Sequence, residues 1–443
     1  MKRSLLSLLA GGTILISSHS YGIDLSTAYA KARSFDSELA AAQAQRDAQQ
    51  EGVALSKAGL LPTLAAGGSI SAHDLSRDAS SDDTYTSKGL SLTLTQSLYD
   101  KSVWEGYEAS KAAAKQADAT LTSNQQALIV RVATAYFDVL RAWEALQAAR
   151  STEKAFEQAW RQAQERYNVG LIAITEVHES KAVYDSGVVA RINAKGQLDV
   201  ALEGLARLVG DYTPELNTLS DDFKARALLP DNVQSWEDQA LTQNPTIQAA
   251  RWAVEAATRQ LEASKAGHYP TASLSAGYTW SDYNGPSPAD DTQGDAALTL
   301  SVSVPLYTGG ATSAAVRQAQ AQLRQAQFTL ETAQRNTRVQ LRNLYAVLTT
   351  NAQAIEARQQ EIVSNESALK ATRAGYEVGT RNIVEVLDAE RNYYNSLVNF
   401  ANARFDFVVN LLTFRQAAGT LTQADVDELN RWLTRPVNTL AAN

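Results

Sequence analysis

Two long stretches without glycine or proline constrain this chain more than anything else in it. Residues 107–169 contain neither, and nor do residues 311–374. Both are rich in Ala, Gln, Arg and Glu, which favour helix. Leu128, Ile129, Val132, Tyr136, Val139, Leu140, Trp143 and Leu146 fall at three-and-four spacing, the period of one helical face. Helices of that length reach roughly 95 Å at about 1.5 Å per residue, about three times the hydrocarbon thickness of a bilayer. An ordinary globule cannot enclose them. They must lie side by side in a long bundle, coiled coil or α-barrel. Each ends at a Val-Gly pair, Val169-Gly170 or Val378-Gly379, after which a second helix returns.

The chain also contains itself twice. Ser56-Lys57-Ala58-Gly59 with Pro62-Thr63 recurs as Ser264-Lys265-Ala266-Gly267 with Pro270-Thr271. Leu98-Tyr99 recurs as Leu306-Tyr307 at the same spacing. One residue further out of step, Tyr167-x-Val169-Gly170 recurs as Tyr376-x-Val378-Gly379, Glu176-Val177 as Glu385-Val386, and Tyr184 as Tyr393. Two copies are too few for a solenoid, so one large supersecondary unit is duplicated.

Between the helices the period changes to two. Leu90 to Leu98 reads Leu-Ser-Leu-Thr-Leu-Thr-Gln-Ser-Leu, and Leu298 to Leu306 reads Leu-Thr-Leu-Ser-Val-Ser-Val-Pro-Leu. Leu274, Ala276, Tyr278 and Trp280 alternate with Ser275, Gly277, Thr279 and Ser281; Leu64 to Ala72 alternates more weakly. These are strands with one apolar face and one small polar face. Ser-, Asp- and Gly-rich segments, 74–87 and 284–295, are expected as loops between them. A soluble sandwich would present such a polar face to water. A membrane barrel would turn it to the lumen, and Tyr99, Tyr307 and Trp280 near strand ends would suit an interfacial girdle.

Lys2 and Arg3, the apolar run Leu5 to Ile16 and the small residues around Tyr21 read as a secretory leader, too short to span a bilayer. No later segment has the length of apolar sequence a helical span needs. Four strands cannot close a barrel, for which about eight are needed, and open edges are not tolerated in lipid. The chain must therefore share its barrel with copies of itself. Two copies would leave little lumen; three would enclose a channel that the long helices continue.

Composition removes other classes. There are no cysteines, so disulfides and thiolate chemistry are excluded, and the four histidines are scattered. The net charge of −8 argues against nucleic acid. No P-loop, nucleophile elbow or dinucleotide fingerprint is present, so neither catalysis nor a cofactor or resident metal is expected.

With these features the chain resembles the TolC family of outer-membrane channel-tunnel proteins, over nearly all of its mature length. The carriers are the duplicated plan and local motifs: Ala133-Thr134-Ala135-Tyr136-Phe137, Tyr167-Asn168-Val169-Gly170-Leu171, Tyr376-Glu377-Val378-Gly379-Thr380-Arg381 and Val384-Glu385-Val386-Leu387-Asp388-Ala389. The fold implied is mainly α with a small β part: a helix-strand-strand-helix-helix unit, duplicated, forming in a homotrimer a 12-stranded β-barrel continued by a periplasmic α-barrel. The resemblance implies residence in the outer-membrane lipid with extension into the periplasm. It also implies docking to a periplasmic adaptor and an inner-membrane pump, proton-driven or ABC type, for export of small molecules or proteins.

The expected organisation is a signal peptide (1–22), a first repeat (23–210; helices about 24–58, 102–166 and 175–208, strands about 64–73 and 88–99), an equatorial linker (211–237), a second repeat (238–418; helices about 238–266, 309–375 and 383–417, strands about 272–281 and 296–306) and a C-terminal equatorial segment (419–443). A periplasmic adaptor built of helical hairpins is the alternative, although adaptors lack paired barrel strands.

The helix turns carry the candidate site. Glu385 and Asp388 lie three apart on one helical face. In a trimer they would set six carboxylates around one axis, a ring that selects cations, and crowding would raise some of their pKa values. The same residues suit the first turns of any helix, where the macrodipole favours acids; the resemblance selects the acidic periplasmic aperture. It likewise assigns Thr175, Glu176, Tyr376 and Arg381 to a gating latch, which from charge alone is also an ordinary helix-end ion pair. Gly170, Leu171, Gly379 and Thr380 form the tips that would receive the adaptor, with Leu171 as the main contact. Arg373 and Ala159 depart from the family pattern for a second tether.

Overall fold

The computed structural model describes residues 23–77, 81–210, 215–225, 228–284 and 291–439. The expected leader over 1–22 lies outside them. Helices α1 (Leu25–Phe35) and α2 (Ser37–Ala58) lead into strands β1 (Thr63–Arg77) and β2 (Ser81–Tyr99), then helices α3 (Lys101–Asn168) and α4 (Ile174–Val209). After β3 (Glu215–Leu219) the plan repeats as α5 (Val233–Gln243), α6 (Pro245–Ala266), β4 (Thr271–Asn284), β5 (Asp291–Ser303), α7 (Ala311–Glu377) and α8 (Ile383–Ala418). Helix α9 (Gln423–Asn430) and strand β6 (Leu433–Asn438) follow.

The single helices expected over 24–58 and 238–266 are each broken, and at equivalent places. Asp36 turns extended and caps α2 by accepting the Leu39 N–H, while Arg131 from α3 pairs with its carboxylate at 3.0 Å. Asn244 does the same ahead of Pro245, accepting the Thr246 and Ile247 N–H groups. A short polar side chain at an N-cap satisfies backbone donors that a continuous helix would satisfy itself, so propensity alone does not show the break.

Helices α3 and α7 are 68 and 67 residues long. Along α7 the buried Leu341, Leu348, Ile355, Leu369 and Tyr376 fall on one seven-residue repeat; Ser180, Gly187 and Ala194 do so on α4. A strict seven-residue repeat underwinds the seam and imposes a left-handed supercoil. At mid-length the helices share one core. Tyr136, Phe137 and Leu140 of α3 meet Phe405, Val408 and Leu412 of α8 and Leu198 and Leu205 of α4. Strand β6 pairs with β3, bringing Leu433 and Val437 onto this core beside Leu216 and Leu219. The Tyr136 hydroxyl, buried here, donates to the Asn217 carbonyl and accepts from the Asn217 N–H. Burial pushes its pKa far up.

Strands β1-β2-β4-β5 form one antiparallel sheet. Its ladders continue through Asp74↔Thr84 to Arg77↔Ser81 and through Tyr283↔Asp291, so the described parts of the segments expected as loops are strand; residues 78–80 and 285–290 of those segments lie outside the described residues. Ladder bonds are made by backbone and do not need the apolar alternation to persist. One face carries Leu64, Ile70, Leu90, Leu92, Leu94, Tyr278, Leu298, Leu300 and Val302, all exposed; the other carries mainly Ser, Thr and Gly, with His73, Tyr85 and Tyr283 toward the end remote from the helices. Strands β1 and β5 each have one unpaired edge among the described residues. No helix among them is long and apolar enough to cross a membrane.

Candidate functional site at the hairpin tips

The two long hairpins turn by one mechanism. Gly170 and Gly379 adopt φ of 76° and 78°, which only glycine takes without penalty. The Gly170 N–H donates to the Tyr167 carbonyl at 2.8 Å and the Leu171 N–H to the Arg166 carbonyl at 2.9 Å. The Gly379 and Thr380 N–H groups repeat this onto Tyr376 and Gly375. These paired bonds satisfy the last carbonyls of α3 and α7 as a Schellman cap. The turns then present apolar side chains to solvent: Val169 is 70 % exposed, Leu171 72 % and Val378 75 %.

Just inside the tips an apolar plug joins the hairpins. Phe156 of α3, Tyr376 of α7 and Ile383, Val386 and Leu387 of α8 are buried together, with Ala159, Val183 and Tyr184 packed on them. Two arginines bridge the plug: Arg166 lies over the Tyr376 ring at 4.5 Å and Arg391 over Phe156 at 5.8 Å, distances at which a guanidinium is drawn to a ring face. The Tyr376 hydroxyl is buried without a well-formed hydrogen bond. Burial, reinforced by Glu176 and partly opposed by Arg166, raises its pKa.

The acidic pair lies at the start of α8, outside the plug. Asn382 accepts the Glu385 N–H at 2.9 Å, and the Glu385 carboxylate reaches back to the Asn382 N–H, a capping box. Arg381 donates to the same carboxylate. The Arg381 guanidinium holds Glu385 below the usual carboxylate range, because the nearest charge within the chain is a cation. Asp388 is exposed and lies 3.4 Å from Arg391.

Within one chain the four latch residues are only partly brought together. Arg381 pairs with Glu385 and not with Glu176. Glu176 feels Tyr376 through space, and Thr175 is exposed. Arg373, the departure from the family pattern, has a partner on its own hairpin: its Nε donates to Glu390 at 2.9 Å. Glu390 is 4 % exposed, and its second oxygen has no hydrogen-bond partner. Ala159 packs on the plug instead of tethering. Sequence reasoning missed Glu390, Arg166 and Arg391. Their partners become neighbours only once separate helices pack, and helical spacing alone does not reveal which faces of two helices meet. Gly375 was also missed: a Cβ there would stand 2.7 Å from Arg381 Cγ, so its absence makes room for that side chain.

A family model described as outer membrane efflux protein matches residues 28–211 and 236–420, one match on each repeat. Outer membrane protein TolC of Escherichia coli (strain K12) is 35% identical over 453 residues, covering 100% of this chain and 91% of the relative. The alkaline protease secretion protein AprF of Pseudomonas aeruginosa is 27% identical, covering 96% of this chain and 91% of its own. The fold matches the Campylobacter jejuni CmeC outer membrane channel with a TM-score of 0.79 at 15% identity, covering 98% of each chain. It matches a crystal structure of CusC at 0.80 and 21% identity, covering 90% and 93%. None of these relatives supports the periplasmic-adaptor alternative. A duplicated sheet-and-hairpin chain of this kind, matched along both halves, belongs to the outer membrane efflux protein family and is an efflux and secretion channel of the outer membrane.

Proposed function

We propose that three copies of the chain close one 12-stranded barrel and continue it as a helical duct whose tips form a gated periplasmic aperture. The observation that carries this is the open-edged sheet: its apolar face suits lipid, its two free edges do not, and twelve strands enclose a lumen where eight would be filled. Glu385 and Asp388 of each copy would ring the aperture and favour cations. Arg381, while paired with Glu385 of its own chain, would share its guanidinium with Glu176 and Thr175 of a neighbour beside Tyr376. Each exposed contact of that latch is weak, about 0.2–1 kcal/mol, so three of them hold a gate that remains openable. The exposed Val169, Leu171, Gly170, Gly379 and Thr380 would receive a periplasmic adaptor joined to an inner-membrane pump. Cargo is small molecules or secreted proteins, the latter suggested by the name of the protease secretion relative AprF, and the lumen needs no catalytic group to pass either.

The test is planar-bilayer conductance of detergent-purified protein, with chemical crosslinking on the same sample. Trimers with small cation-selective conductance, losing selectivity in Glu385→Ala plus Asp388→Ala, support the reading. A monomer soluble without detergent and silent in bilayers refutes it. Conductance with unchanged selectivity returns Glu385 to helix capping and Asp388 to its contact with Arg391.

A further inference from the structure

The sheet sorts its aromatic residues onto two faces, and only one set is explained by lipid. Tyr278 and Trp280 lie opposite Leu92 and Leu90, on the apolar face, where contact with lipid accounts for them. His73, Tyr85 and Tyr283 lie on the other face. His73 stands opposite Tyr85 and Tyr283 opposite Ser87, in the rows of Ser71, Ser91, Gly277 and Thr279. Three different strands supply these three side chains, near the end of the sheet remote from the helices.

The rings are not scattered along that wall. Those of His73 and Tyr85 stack with centroids 4.5 Å apart and planes at 15°. Tyr283 leans on Tyr85 at 6.5 Å. The His73 Nε2 lies 3.1 Å from Ser87 Oγ, which holds the imidazole in place. The stack is left open: His73 is exposed and Tyr283 is 36 % exposed. Among the described residues no buried core lies on this face, and in the barrel reading lipid lies against the other. A fixed row of ring faces on an otherwise Ser- and Thr-rich wall is a surface to which a further flat ring adds by offset stacking.

We propose that His73, Tyr85 and Tyr283 form a weak binding site for planar aromatic solutes on the lumen wall at the outer mouth of the barrel, one per chain. The proposal rests on the barrel reading above, which assigns the small polar face to the lumen. Weakness is inherent in the geometry. Each solute ring meets a half-open stack in contact with water, so it is held briefly and then leaves.

The experiment is single-channel recording of the whole protein with N-acetyl-tryptophanamide added on the barrel side, against N-acetyl-leucinamide as the neutral non-aromatic control. The expected result is concentration-dependent block by the tryptophan amide only. Tyr85→Ser plus Tyr283→Ser raises the half-blocking concentration about fivefold or more, as loss of one or two ring stacks requires, with unblocked conductance unchanged. Tyr283→Ser alone weakens block about twofold and serves where the double variant assembles poorly. Tyr278→Ser, on the lipid face, leaves block unchanged. Equal block by both amides, no block, or block that survives the tyrosine variants overturns the site while the conductance keeps the barrel. Absence of any conductance in the unmodified protein overturns the barrel reading and the site with it.

Discussion

Replacing Gly419 by alanine should damage this protein far more than the same change at Gly379, although the two glycines have nearly the same backbone. Their φ values are 77° and 78°, so each substitution carries the same left-handed penalty of about 1–2 kcal/mol. The surroundings differ. At Gly379 nothing lies within 4 Å of the added Cβ. At Gly419 it would stand 2.5 Å from the Cα of Asn244, 2.6 Å from its N and 2.7 Å from the carbonyl carbon of Gln243. All three are backbone atoms and cannot rotate aside. The α5–α6 break must move off the end of α8. That movement strains the bond from the Asn244 amide to the Ala417 carbonyl at 2.8 Å and the cap on α6. Overpacking of this kind costs about 1–3 kcal/mol, giving a total of about 2–5 kcal/mol per chain when added to the backbone penalty. Gly210, the matching position of the first repeat, is intermediate: its Cβ would meet the Phe35 ring at 2.8 Å, and that ring is exposed enough to yield. Thermal unfolding in detergent, followed by far-UV circular dichroism, should rank the alanine variants 419, then 210, then 379, from least to most stable. Equal losses at 419 and 379 would refute the argument that the break at Asn244 is held by direct contact with the end of α8.

Arg373→Ala leaves the buried Glu390 carboxylate without its cation. A loss of about 1–3 kcal/mol is expected, below the cost of breaking a fully buried pair because Arg373 is half exposed. Adding Glu390→Gln should restore most of it in the same melts. Because Arg381 depresses the Glu385 pKa, the carboxylate stays ionised to lower pH than an ordinary glutamate, and the interaction is lost as pH falls through that depressed value. Cation selectivity measured against pH should therefore fail at a higher pH in Arg381→Ala than in the unmodified channel; an unchanged midpoint would count against the pairing. Leu92→Arg places a charge on the apolar face, with an expected cost of about 2–4 kcal/mol at mid-bilayer, whereas Thr93→Arg on the opposite face should assemble normally. Heat-resistant oligomer on gels reads the difference, and equal assembly of both variants would contradict the facing of the sheet.

Much of the architecture is legible because its signals are local and repeated. The seven-residue spacing of Leu341, Leu348 and Ile355 is written along one helix, and the alternation Leu90-Ser91-Leu92-Thr93-Leu94 along one strand. Each repeat provides an independent second reading of the same unit. Legibility fails where a polar side chain competes with the backbone pattern. Asp36 and Asn244 look like ordinary polar positions in helical sequence, and only their capping bonds show that the helix stops there. It fails again beyond Ala72, where the apolar alternation ends but the ladder continues to Arg77.

By itself the sequence determined the long helices, the small strands, the duplication and the glycine turns, since all of these follow from helical and extended periods and from the absence of a Cβ at Gly170 and Gly379. Tertiary structure alone decided what meets at the tips. Arg166 finds Tyr376, Arg391 finds Phe156, and Arg373 finds Glu390 only when separate helices pack with a particular rotation. That rotation is set by the combined burial of Phe156, Ile383, Val386 and Leu387. Such burial is a property of the packed hairpins together, and no one segment encodes it.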